Sequence, residues 1–142
     1  MPNENDEDKR TIVGAIPILD DQKILFVKSR HENWIFPKGG VKKSEKSYDA
    51  ATREAFEEGG VIGQVELEPF CVKKGVSFYV LSVATILDSY PESQERQRTI
   101  MKMMDALENT EVAEYVREIV KEYIRKRIVE HTDDFLGFLD IL

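Results

Sequence analysis

Apolar residues recur along the chain mostly in short β-branched runs, and at helical spacing in only two stretches. Residues 11–19 (Thr11-Ile12-Val13-Gly14-Ala15-Ile16-Pro17-Ile18-Leu19) form the first run. Asp20-Asp21-Gln22 reads as a turn and Lys23-Ile24-Leu25-Phe26-Val27 as a second run, so the pair predicts a hairpin. Pro17, which has no N–H to give a ladder, is expected at an edge or a bulge. Residues 34–40 predict a short extended piece closing in the Gly39-Gly40 turn. A helix is expected over 47–58, with Ser44 or Ser47 as its cap, Ala50, Ala51, Ala55 and Phe56 as its apolar contacts, and Gly59-Gly60 as its end. Residues 61–72 and 76–87 predict two strands split by Lys73-Lys74-Gly75, and 100–104 a last short one. From 111 to 130, Val112, Tyr115, Val116, Ile119, Val120, Tyr123, Ile124 and Ile128 fall on one helical stripe. Strands first, a helix among them and a long helix late predict an α+β fold with a mixed sheet between helices.

The helix over 47–58 carries the chemistry. Glu54, Glu57 and Glu58 stand at i, i+3 and i+4 and share one face. Like charges at that spacing repel, and a divalent cation reverses the sign of the term. Clustered carboxylate oxygens suit hard ions such as Mg²⁺ or Mn²⁺, which in turn polarise phosphates. Arg53 can pair with Glu57 four residues on or reach back to Glu45, which would orient the carboxylates. Gly39 and Gly40 let the backbone approach an ion or a phosphate closely.

Composition narrows the setting. The 142 residues fit one domain, with 42% hydrophobic and 33% charged residues. Residues 1–8 read as a polar lead-in, 9–131 as the domain, and the apolar stretch 132–142 as a tail packed back on it. The lone Cys71 forms no internal disulfide and reads as a small apolar core residue, so a reducing compartment, the cytoplasm with nuclear access, is expected. No run approaches the roughly 20 apolar residues of a membrane span. The net charge of −7 argues against a stable nucleic-acid partner. Between Lys23 and Lys46, however, seven Lys/Arg and His31 face only Glu32 and Glu45. A basic band leading into a carboxylate cluster fits a small, highly phosphorylated substrate.

Gly39-x5-Glu45-x7-Arg53-Glu54-Ala55-x-Glu57-Glu58-x-Gly60-Val61 resembles the signature box of the Nudix hydrolases, with every fixed letter present and only Ala55 smaller than the usual aliphatic residue. The resemblance implies an α/β/α sandwich. It implies Glu54 and Glu58 as metal ligands, Glu57 as a further ligand or the base that activates water, the Lys38 carbonyl as an extra ligand, and Mg²⁺ or Mn²⁺ as cofactor. Lys9-Arg10, Ser29-Arg30-His31, the stretch 34–40 and Arg96-Gln97-Arg98 are similar to the diphosphoinositol polyphosphate phosphohydrolases, a subfamily that also hydrolyses diadenosine polyphosphates such as the hexaphosphate.

The substrate contacts this suggests are Lys9, Arg10, Ser29, Arg30, Lys38, Gly39, Gly40, Arg96 and Arg98, set against the plainer reading of each basic residue as solvated surface. Lys73 and Lys74 lie where that subfamily carries a longer basic segment. Trp34 is expected in the core beside the box, with stacking on an adenine as the alternative. The competing functions are a Nudix enzyme acting on nucleotides or RNA caps, and a non-catalytic binding module, which would have lost box glutamates. A monomer is expected, with dimerisation through the tail as the alternative.

Overall fold

β1 (Ile12–Leu19) is the axis of the sheet, and its burial shows why: residues 13–17 are all buried. Successive side chains of a strand point to opposite faces, so an unbroken buried run means that both faces are covered. In β2 (Lys23–Lys28), Ile24, Leu25, Phe26 and Val27 repeat the pattern. The computed structural model describes residues 10–130, so Lys9, the lead-in and the tail lie outside the described residues.

β1 runs parallel to β7 (Val76–Ile86), from Val13 opposite Ser77 to Ile18 opposite Ser82. The other pairings are antiparallel. β2 and β4 (Lys38–Gly40) pair with β1, while β3 (Trp34–Ile35) and β8 (Arg98–Lys102) pair with β2. β5 (Val61–Val65) and β6 (Cys71–Lys73) pair with β7, which completes an eight-stranded mixed sheet. The expected hairpin forms, but β1 and β2 stay in register only at Ile18–Ile24 and Leu19–Lys23. Beyond that β4 takes over, opposite residues 12–14.

Pro17 sits at this fork, in a central strand rather than at an edge or a bulge. The Ala15 N–H donates to the Pro37 carbonyl at 3.0 Å, and alternation aims residue 17 to the same side, where no N–H is available to extend the β2 ladder.

Helices cover the two faces. Leu25 and Val27 lie beneath Gly59 of α1 (Ser47–Gly59), so closely that a Cβ on Gly59 would stand 2.9 Å from Leu25. On the opposite face Phe26 stacks on Phe36 at 5.5 Å, Phe36 meets Phe78 at 5.8 Å, and Phe78 meets Tyr115 of α3 (Glu114–Glu130) at 6.3 Å. Each fully buried ring contributes roughly 1.5–3 kcal/mol. The layers are therefore helix, sheet, helix.

Several boundaries differ from the sequence reading. Residue 103 starts a short helix, α2 (Met103–Glu108), instead of ending a strand. α3 begins at Glu114, not 111, because the Trp34 N–H donates to the Glu111 carbonyl (2.8 Å) and the Ala113 N–H to the Trp34 carbonyl (3.0 Å), which bridges Val112 to Trp34 and keeps 111–113 out of the helix. The stretch 61–72 is divided into β5 and β6. Neither serine caps α1. Lys46 occupies that place with no side-chain cap, and Ser44 has φ 66° in a tight turn that Glu45 closes by accepting the Lys42 N–H at 3.0 Å. The glycine end is as expected: Gly60 is left-handed at φ 64°, and its N–H returns to the Ala55 and Phe56 carbonyls.

Candidate active site

Arg53 organises the carboxylates. Its Nε donates to Glu45 Oε2 at 2.9 Å and its Nη2 to Glu45 Oε1 at 3.0 Å, a two-point grip. Nη2 also donates to the Gly40 carbonyl at 2.9 Å, and Nη1 to both Glu54 Oε1 and Glu57 Oε1 at 2.8 Å. One guanidinium thus ties β4, the loop before α1 and the acidic face of α1 together. Its hydrogen bonds, first of all with Arg53, hold the Glu45 carboxyl down at about 2. The same partners, Glu45 foremost, push the Arg53 pKa further up.

Glu54 and Glu58 are the only buried charged side chains among the described residues. Burial, reinforced by the neighbouring Glu54, pushes the Glu58 carboxyl up to about 8. Compensation is thin: the Lys38 N–H reaches Glu58 Oε1 at 3.4 Å and Arg96 Nη1 stands 4.0 Å away. Gly39 makes room for the pair, since a Cβ there would run into the Glu54 carboxylate. Gly40 likewise accommodates the Arg10 side chain.

Among the described residues no three His, Cys, Asp or Glu side chains are gathered closely enough to hold an ion by themselves, while Arg53 Nη1 bridges Glu54 and Glu57. The donor set still fits a divalent cation. Two buried carboxyls on one helix face, all-oxygen, with Glu58 held only by a 3.4 Å hydrogen bond, are what such an ion relieves.

Beside Glu58 opens a cleft of about 380 Å³, lined by Ser29, Arg30, His31, Asn33, Ile35, Lys38, Glu58, Arg96, Ala113 and Tyr115. Of the predicted contacts, the fold gathers Ser29, Arg30, Lys38 and Arg96 here. Ser29 is partly committed, since its Oγ accepts the His31 and Asn33 N–H groups at 3.2 and 3.1 Å. Arg10, Gly39 and Gly40 lie on the Arg53 side instead. Arg98 serves α1, donating to the Gly59 carbonyl at 2.9 Å and lying 4.6 Å from the Tyr90 ring.

Trp34 lies outside the cleft lining, half-buried, with the Lys28 ammonium 4.4 Å from its ring. Cys71 is half-buried and its thiol is pushed up to about 11 by burial, an unreactive packing residue. Sequence reasoning missed the wall formed by Asn33, Ala113 and Tyr115.

A carboxylate helix clamped by an arginine beneath a mixed sheet, next to a basic cleft, defines a phosphate-processing hydrolase class. The Nudix domain model matches residues 8–123, and the chain belongs to the Nudix hydrolase family. It is 34% identical to Nudix hydrolase 18, mitochondrial, of Arabidopsis thaliana over 69% of this chain and 67% of that protein. It is 33% identical to diphosphoinositol polyphosphate phosphohydrolase 3-beta of Bos taurus over 75% of this chain and 69% of that one. To diphosphoinositol polyphosphate phosphohydrolase 2 of Homo sapiens it is 32% identical, over 75% and 62%. The chain thus spans about two thirds of these relatives' length.

Two solved structures share the fold. A C. elegans Ap4A hydrolase binary complex matches with a TM-score of 0.62 at 16% identity, over 80% of this chain and 96% of that one. A Nudix hydrolase from Nitrosomonas europaea matches with 0.69 at 15%, over 82% and 89%. Nudix hydrolases generally use divalent metals. No helix among the described residues is long and apolar enough to cross a membrane.

Proposed function

We propose that this chain is a Mg²⁺- or Mn²⁺-dependent pyrophosphohydrolase of diphosphoinositol polyphosphates, of diadenosine polyphosphates such as the hexaphosphate, or of both. The observation that carries this reading is the buried Glu54–Glu58 pair, of which Glu58 lines a cleft whose other charged groups include Arg30, Lys38 and Arg96. Glu54, Glu58 and the Lys38 carbonyl would hold the ion, with Glu57 as a further ligand or as the acceptor of the proton from the attacking water. The ion supplies charge neutralisation at phosphate and a more acidic water.

The chain's own residues do the rest. Arg53 fixes the rotamers of Glu54 and Glu57, and Glu45 and the Gly40 carbonyl fix Arg53 in turn. Arg30, Lys38 and Arg96 bind non-reacting phosphates, arginine by paired N–H groups and lysine as a point charge. The related diphosphoinositol polyphosphate phosphohydrolases and the neighbouring Ap4A hydrolase support this substrate class.

A second reading, a nucleotide or RNA-cap substrate, is favoured by the apolar wall of Ile35, Ala113 and Tyr115, which offers a surface to a base. The proposed compartment is the cytoplasm. Cell fractionation tests it, and recovery with mitochondria, as the plant relatives' names suggest for those proteins, overturns it.

The test of substrate is phosphate release with Mg²⁺ from an inositol pyrophosphate, diadenosine hexaphosphate and a nucleoside triphosphate. Higher kcat/KM on the first two is expected. Preference for the triphosphate overturns the substrate assignment in favour of the second reading.

A further inference from the structure

Two carboxylates compete for Arg96, and one of them, Glu92, has no part in the site described so far. The loop between β7 and β8 is anchored on the last turn of α1 by its main chain, the Glu92 N–H donating to the Glu57 carbonyl at 3.0 Å. Within the loop the Arg96 N–H donates to the Glu92 carbonyl at 3.0 Å. The side chains then meet again: Arg96 Nε donates to Glu92 Oε1 at 3.3 Å. Arg96 Nη1 donates to the Lys28 carbonyl at 3.1 Å and stands 4.0 Å from Glu58 Oε1. The third nitrogen, Nη2, makes no hydrogen bond among the described residues. Arg96 lines the cleft, so those remaining donors belong to a group that faces substrate.

A guanidinium held along its Nε edge and at Nη1 presents Nη2 in one direction, which is what capture of a phosphate oxygen needs. Without Glu92 the strongest acceptor left beside Arg96 is Glu58, a buried carboxyl with only a long hydrogen bond from Lys38. Closing the 4.0 Å gap would pair Arg96 with Glu58 and turn its free N–H groups from a substrate phosphate to that carboxylate.

We propose that Glu92 is a positioning residue for substrate binding, which holds Arg96 off Glu58 and keeps its free N–H edge turned to a substrate phosphate. The inference rests on the reading of Arg96 as a phosphate contact. Alanine at 92 leaves the main-chain anchor of the loop intact.

The test is calorimetric binding of inorganic tripolyphosphate, without divalent ion, to the wild type, E92A, E92Q, R96A and E92A/R96A, with thermal melting as the check on folding. R96A and E92A should each weaken binding about tenfold, the effect of losing one phosphate hydrogen bond to a charged donor. E92Q keeps an acceptor oxygen for Nε and should stay within about threefold of wild type. The double variant should bind no more weakly than R96A, since Glu92 acts through Arg96.

Wild-type binding by E92A, failure of E92Q to rescue, or a further tenfold loss in the double variant would overturn the positioning role while leaving Arg96 as a contact. Unchanged binding by R96A, or no tripolyphosphate binding by the wild type, would remove the phosphate-contact reading and the inference with it.

Discussion

At the scale of single residues, Arg53 is where geometry and chemistry are most tightly joined. It satisfies acceptors in three different segments, which a lysine, with three donors on one nitrogen and no fork, cannot reproduce. Arg53→Lys should fold but lose roughly 10- to 100-fold in kcat, the usual cost of disturbing a ligand's supporting shell. Steady-state kinetics beside a thermal melt reads this directly. Glu45 makes a prediction about pH. Its folded pKa of about 2 lies below its ordinary 4.5, so its contribution is fully present above 4.5 and is lost as pH falls toward 2. The stability gap between wild type and Glu45→Gln should therefore shrink over that interval in urea melts at stepped pH, and a constant gap would contradict the network. Much of this was legible in the chain, because Glu57 and Glu45 lie at readable spacings from Arg53. The Gly40 carbonyl was not, since only the folding of β4 against β1 brings it there.

At the scale of elements, the end of α1 is set by glycine and held by a distant strand. Gly60 has φ 64°, and a Cβ there would run into Tyr90 and the Arg98 guanidinium. Gly60→Ala should cost at least about 1–2 kcal/mol from the left-handed backbone alone, measurable by denaturant unfolding. Arg98 donates to the Gly59 carbonyl from β8. Arg98→Ala is accordingly expected to lower stability by about 1 kcal/mol with KM unchanged, whereas Arg96→Ala should raise KM with little change in stability. The reverse pattern would return Arg98 to the substrate. The sequence displayed α1, with its alanines and glycine stop, because every signal in it is local. α2 was missed because Met103 and Met104 continue an apolar run into a turn of helix that only tertiary packing selects. The late start of α3 was hidden for the same reason: 111–113 is held by Trp34, far away in sequence.

At the scale of the whole molecule, the sheet brings together residues that no motif links. Arg30 and Lys38 follow β2, Arg96 comes from the loop before β8 and Tyr115 from the first turn of α3, and together they wall one cleft beside Glu58. Composition announced the basic band, and the carboxylate box announced the chemistry. The apolar wall stayed hidden because Tyr115 falls on the same helical stripe as true core residues, and one sequence does not distinguish a cleft wall from a core face. The central claim is that the buried carboxylate pair is the hydrolytic centre. The most direct measurement is turnover by Glu58→Gln, with its melting temperature, on the best substrate of the panel. A folded variant with turnover reduced by at least about 10³-fold is predicted. A folded variant hydrolysing at near wild-type rate would contradict the account.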